Sequence, residues 1–219
     1  MKNVKSRIIH AAMRLFAEQG AMQIAVSDLA KAASLSRGTI YNNVEHPETL
    51  FHITCGMLFE ELRSCIRSGL KTNDDPALNI SVLIRQMIRR VHDEPDWGRF
   101  VALFAMTEPQ LGAVWAREPA DIIRKGVKSG RFDVPVDQIP SVTTLGGGAM
   151  MGSASQVLSG AVTWRKSGSE IAELYLRALG IGRGEAHRLA RVDFDPLPQL
   201  DFSAVAQGLT RPEAMTGSH

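Results

Sequence analysis

The chain has 219 residues, 44% apolar and 22% charged, with a formal net charge of +2. That is the composition of an ordinary globular protein, long enough for one large domain or two modest ones. Its two cysteines, Cys55 and Cys65, stand ten apart in one predicted helix, which excludes a disulfide framework and a zinc-ligand pattern and fits thiols buried in a reducing compartment. No basic segment with an apolar core and cleavage site opens the chain, so no export signal and a cytoplasmic location are expected. The charge is uneven: residues 1–43 carry +4 and the remainder −2, as suits a protein that meets phosphate at one end.

Lys5 to Gln19 places Ile8, Ile9, Ala12, Leu15 and Phe16 at the helical period, and Gly20 supplies the left-handed residue that ends a helix. Ser27 to Ala33 is a short amphipathic run with Leu29, Ala30 and Ala33 on one side. Ser34-Leu35-Ser36 reads as a turn, and the Ser36 hydroxyl is a good N-cap for a helix from Arg37 to Val44. Two short helices joined by such a turn form the helix-turn-helix pattern, whose second helix enters the DNA major groove. In that second helix Ile40 and Val44 can bury with Leu35, which leaves Arg37, Thr39, Tyr41, Asn42 and Asn43 on the other faces. Asn pairs bidentately with adenine, Arg with guanine or phosphate, and Thr and Tyr hydroxyls with phosphate oxygens. A polar, merely solvated helix is the bland alternative; the turn and the preceding helix favour DNA.

Pro47 to Leu70 reads as one longer helix with Leu50, Ile53, Met57, Leu58, Leu62 and Ile66 on a flank, linking head to body. Asn73 to Pro76 is a break, with Asp75 as cap and Pro76 as first residue of a helix to about His92. Its apolar stripe is Ile80, Leu83, Ile84, Met87, Ile88 and Val91; Arg85, Gln86, Arg89 and Arg90 lie opposite and are expected in solvent. Pro95 restarts the chain, with Trp97, Phe100, Val101 and Phe104 following, and another helix runs from Pro109 towards Val127, which Pro119 should kink or split. Gly126 to Phe132 is a turn. Positions 138–164 hold no charge, yet their glycines, serines and threonines make a poor membrane span, and the triple glycine has no preceding strand to make it a dinucleotide loop. Gly148, Gly152, Ser155 and Ser159 instead form a seam of small residues on one helix face. Ser167 to Glu170 has the capping-box pattern and leads into a helix bearing Ile171, Leu174, Tyr175, Ala178 and Leu179, stopped by Gly180. From Val192 onward, prolines and scattered acids describe an arm or tail, 192–219.

The run from Ile8 to Phe51, IIHAAMRLFAEQG followed by SDLAKAASLSRGTIYNNVEHPETLF, resembles the DNA-binding head of the TetR (tetracycline-repressor-like) regulators. The resemblance implies an all-α protein of about nine to ten helices: a three-helix helix-turn-helix DNA-binding domain over 1–46, then a helical effector-binding and dimerisation domain over 47–191. It implies a homodimer that reads a palindromic double-stranded DNA operator through Ser36, Arg37, Gly38, Thr39, Tyr41, Asn42, Asn43 and His46. A repressor released by a small, largely apolar effector is expected; an activator, or a helical ligand-binding or scaffold protein with weakened or lost operator binding, stays open. The family's last two long helices pair with their twins, which points to Gly148, Gly152, Ser155, Ser159, Ile171, Leu174, Tyr175 and Ala178 as the dimer interface. Three positions depart from the pattern. Ala25 removes a cap and phosphate contact, Ser34 replaces the turn glycine, and Pro47 replaces a phosphate-binding lysine whose contact is lost or passes to His46. Ser34 is tolerable if its backbone is not left-handed.

Met57, Met87, Trp97, Phe100, Phe104, Met106, Trp115 and Met150 are a pool of aromatic and thioether side chains, most of them core, some of which would line an apolar effector cavity between helices. Arg99 and Arg124 are candidates to meet a charged ligand. The six histidines form no i, i+4 pair, and neither a nucleophile elbow nor a P-loop occurs, so no metal, no cofactor and no enzymatic activity are expected.

Overall fold

The structure is a computed structural model that describes residues 4–44, 46–69 and 74–197; the side chains of residues 68, 69, 110 and 113–115 also fall outside the description. Among the described residues there are ten α-helices and no strand. They are α1 (Val4–Gln19), α2 (Val26–Ala32), α3 (Arg37–Asn43), α4 (Leu50–Gly69), α5 (Pro76–Asp93), α6 (Pro95–Phe104), α7 (Pro109–Lys128), α8 (Ile139–Leu158), α9 (Trp164–Ala178) and α10 (Arg183–Leu189). Short 3-10 turns, Pro47–Thr49 and Val136–Gln138, precede α4 and α8. The fourth long element therefore starts later than its proline suggested: Pro47 opens a tighter turn, and the α-helix begins at Leu50. Leu70 and Asn73 lie outside the described residues.

The chain divides into two compact units, with the boundary between Glu61 and Leu62 inside α4. In the first, Ile8, Ala12 and Phe16 of α1 bury with Leu29, Ile40, Leu50 and Phe51. Phe16 and Phe51 meet edge to face at 5.2 Å, a geometry worth about 0.5–1.5 kcal/mol beyond the area it buries. In the second unit α5 packs along α9 and against α6, α7 and α8. Asp75 caps α5 by accepting from the Ala77 amide at 2.9 Å. Its carboxylate also accepts two bonds from Arg131, at 2.9 and 3.0 Å, while the same guanidinium reaches Glu185 of α10.

Three expectations fail. Arg85, Gln86 and Arg90 are buried rather than solvated. The end of α10 and the segment after it lie over α5 and offer carbonyls: Ser81 Oγ donates to Leu189, Arg85 Nη1 to Val192, and Gln86 Nε2 to Asp195. Helix α7 runs unbroken through Pro119, whose ring is buried and faces the apolar interior, so packing offsets the lost backbone bond. Ser167 does not cap a helix, because Thr163 does so one turn earlier, accepting from the Lys166 amide at 3.4 Å. Ser167 instead is buried inside α9, where its hydroxyl bonds that of Ser153.

Candidate nucleic-acid interface

Helix α3 is held by its own first turn and by α1. Ser36 Oγ accepts from the Thr39 amide at 3.0 Å and bonds the Thr39 hydroxyl at 2.9 Å, the N-cap its sequence position predicted. Ile40 is fully buried beneath the helix. The opposite side is open: Ser36, Arg37, Gly38 and Asn42 are exposed, and the Tyr41 ring keeps 57% of its surface in solvent. Thr39 and Asn43 are half-buried, and Asn43 Nδ2 donates back to the Thr39 carbonyl at 2.8 Å. That bond ties up part of its amide, so Asn42 is the freer of the two. A Cβ added at Gly38 would meet only Ser36 Oγ, at 3.7 Å. Packing within the unit therefore does not require a glycine there, although glycine in a helix costs about 0.5–1 kcal/mol relative to alanine. Close approach of an outside partner is a reason for it.

The turn before α3 is more strained than expected. Ser34 has φ +53°, the left-handed region, and it is the one residue other than glycine in that region among those described. The Ser34 amide bonds the Lys31 carbonyl and the Leu35 amide that of Ala30, the paired bonds of a helix end that glycine normally closes. Arg7 of α1 supports the turn: its Nη2 donates to the carbonyls of Ala33 at 2.7 Å and Ser34 at 2.9 Å. Sequence reading missed this clamp, since nothing local to Arg7 signals a partner 26 residues away. Ala25, as expected, caps α2 with no side-chain bond. His46 is exposed, with Nδ1 3.1 Å from the Glu48 carboxylate.

The other predicted residues fall in several places. Met57, Met87, Trp97, Phe100, Phe104 and Met150 are buried, Met106 is 64% exposed, and the Trp115 side chain lies outside the described residues. The rings of Phe100 and Phe104 lie 4.9 Å apart. Met150 borders a narrow apolar cavity of about 10 Å³ with Ile80, Leu83, Ile84, Pro119 and Tyr175, room for one water-sized sphere. Arg99 and Arg124 are exposed and paired within their own helices, to Asp96 at 3.0 Å and Asp121 at 2.6 Å. Gly148, Gly152, Ser155 and Ser159 are all exposed along α8, as are Leu174 and Ala178 on α9, with Ile171 half-buried beside them. Tyr175 does not join that face. It is buried in the subunit, donates to the Val142 carbonyl at 2.8 Å, and lies so close over Gly146 that a Cβ there would come within 2.7 Å of its ring. Burial pushes its phenol well above the ordinary value.

A capped, exposed helix carried on a tight turn after a second helix of the same length defines a helix-turn-helix DNA-binding protein. The family follows from comparison with known proteins. Residues 8–43 match the bacterial regulatory proteins of the tetR family, and residues 75–192 match the tetracyclin repressor-like C-terminal domain. The chain belongs to the TetR family of transcriptional regulators. It is 31% identical over 110 residues to an uncharacterized HTH-type transcriptional regulator of Mycobacterium tuberculosis, a match covering 50% of this chain and 53% of that one. The chain thus spans about half the length of the curated relatives it matches. Among solved structures it is similar to RolR in complex with resorcinol (24% identity, TM-score 0.64, covering 90% of this chain and 96% of that one). It is also similar to a TetR family regulator from Shewanella sp. PV-4 (18%, TM-score 0.67, 81% and 98%) and a TetR-like regulator from Rhodococcus sp. RHA1 (14%, TM-score 0.65, 81% and 96%). At these identities the structures bear on the fold. Among the described residues no helix is long and apolar enough to cross a membrane.

Proposed function

We propose that this regulator is a homodimeric repressor in the cytoplasm that binds a palindromic operator through α3 and is released by a small, largely apolar effector. The observation that carries the reading is the exposed face of α3: Arg37, Tyr41 and Asn42 stand out over a fully buried Ile40, on a turn clamped from α1. Asn42 reads adenine, Arg37 reads guanine or phosphate, and the hydroxyls of Ser36, Thr39 and Tyr41 meet phosphate oxygens, with Gly38 letting the DNA backbone approach. His46 reaches phosphate beside them. A two-fold dimer sets two such helices about 34–36 Å or somewhat more apart, which is why the operator is palindromic.

The exposed small-residue strip of α8 and Leu174 of α9 supply the dimer contact. The seam lets two backbones approach, and Leu174, 57% exposed in the single chain, is the apolar anchor. The apolar cavity beside Met150 is closed to about 10 Å³, so an effector entering there has to part α5, α7 and α8. It can change DNA affinity only by its differential affinity for the two arrangements. RolR was solved with resorcinol, a small aromatic molecule.

The test is a mobility shift with the DNA upstream of the protein's own gene. Asn42→Ala should cost about 1–3 kcal/mol in specific binding and Tyr41→Phe a smaller amount, with nonspecific binding little changed. Unaltered operator affinity in both variants overturns the assignment of α3. Leu174→Glu should give monomers in light scattering and abolish palindrome-dependent binding; an intact dimer refutes the interface.

A further inference from the structure

The opposite side of α5 holds a larger cavity of a different chemistry. Its volume is about 320 Å³, at the lower end of the range that small-molecule sites occupy. Four arginines enter its wall: Arg85 and Arg89 from α5, Arg165 from the first turn of α9, and Arg191 from just after α10. The single acid of the wall is Asp193. Two aromatic rings complete it. The Arg89 and Arg165 guanidiniums lie 5.2 and 4.5 Å from the centre of the Trp164 ring, and that of Arg85 lies 4.5 Å from the centre of Phe194.

The cations differ in how far they are already satisfied. Arg191 bonds Glu173 at 2.8 Å, and Arg89 meets Asp93 at 3.3 Å. Arg85 is buried, donates to the Val192 carbonyl, and is held charged by Asp193 against a burial that pulls its pKa down. Arg165 is exposed and lies over the face of Trp164. Guanidiniums stacked on aromatic faces keep their in-plane N–H donors free for a planar anion, which they bind bidentately. Only Arg85 of the four is buried, and with Arg191 and Arg89 already paired to Glu173 and Asp93 the hollow keeps a net positive charge that an entering anion neutralises.

We infer that this arginine-walled cavity between α5, α9 and the 191–194 segment is a second ligand site, for a small organic anion with a carboxylate on an aromatic body. The carboxylate takes Arg165 and Arg85; the ring packs against Trp164 and Phe194. The site is separate from the apolar cavity, which uses Ile80, Leu83 and Ile84 of the same helix. It does not depend on the reading of α3 as a DNA contact.

The test uses the full chain, with benzoate as the probe and uncharged benzamide and inorganic phosphate as controls. Binding is followed by titration calorimetry and by the indole N–H resonance of Trp164, identified with Trp164→Phe. Benzoate should shift that resonance and bind at least tenfold more tightly than either control, with affinity falling as salt rises. Arg165→Gln should weaken benzoate at least tenfold while leaving the unfolding temperature unchanged; Arg85→Gln should weaken benzoate as well but also lower the unfolding temperature, because Arg85 is buried and anchors the Val192 carbonyl, so Arg165 is the deciding variant. No benzoate binding, equal binding of benzamide, or full affinity in Arg165→Gln overturns the site. Phosphate binding as tightly as benzoate overturns the aromatic part of the ligand assignment.

Discussion

Arg7→Met tests whether the turn that carries α3 is held from α1. One guanidinium nitrogen makes two bonds, 2.7 Å to the part-buried Ala33 carbonyl and 2.9 Å to the exposed Ser34 carbonyl. Hydrogen bonds from a charged donor contribute about 1.5–3 kcal/mol each; the exposed carbonyl can turn to water, so the pair is worth about 2–3 kcal/mol. The turn also stores strain, since a left-handed serine costs about 1–2 kcal/mol. Replacing it by glycine relieves that but loosens the unfolded chain by about 0.4–1 kcal/mol, a net gain of about 0.5–1 kcal/mol for Ser34→Gly. Amide hydrogen exchange of α2 and α3 in the full chain reads both effects locally. Arg7→Met should speed exchange there roughly thirtyfold or more, at about 1.4 kcal/mol per decade, and Ser34→Gly should slow it and partly rescue the double variant. Exchange in Arg7→Met within threefold of the parent would show that the clamp does not hold the turn.

Other expectations follow from single contacts. Gly146→Ala should destabilise by about 1–3 kcal/mol in urea denaturation because Tyr175 has no room to retreat, and Tyr175→Leu in the same background should recover much of the loss. The hydrogen bonds from Arg131 hold the Asp75 and Glu185 carboxyls below their usual range, so their stabilisation is present above about pH 5, where the unfolded acids are ionised, and is lost as pH falls below about 4. Arg131→Met should cost about 1 kcal/mol at neutral pH, given the partial exposure of all three groups, and progressively less as pH falls below about 4; a cost that does not shrink in acid refutes the ionic explanation. Pro47→Lys should steepen the salt dependence of DNA binding by about 0.9 per protomer if that position faces phosphate, and an unchanged slope removes it from the interface.

Helix starts and stops were legible because their chemistry is local. Ser36 and Asp75 accept amides two or three residues ahead, and Gly20 and Gly180 turn left-handed where the sequence places helix ends. The apolar face of α5 was equally plain from its period. Its polar face was not, because Arg85 and Gln86 are covered by a segment more than a hundred residues downstream that satisfies them through backbone carbonyls, which leave no mark in side-chain pattern. Ser167 misled because the capping pattern needs only two residue types at a spacing of three, and Thr163 offered the same service one turn earlier. On the surface of α3 the sequence named the exposed residues, but it gave no sign that Asn43 would turn back on Thr39 or that Ser34 would be left-handed.

The docking of residues 189–195 on α5 carries an evolutionary consequence. Its three anchors, Ser81, Arg85 and Gln86, grip carbonyls at 189, 192 and 195, in equal steps of three. Every amino acid presents the same carbonyl, so these bonds by themselves place no demand on the identities along the segment. They do not leave its length free: one inserted or deleted residue between Leu189 and Asp195 moves at least one acceptor off its donor and strands a buried arginine or amide. Related chains that keep this docking should therefore agree in spacing here, which an ordinary surface loop does not require.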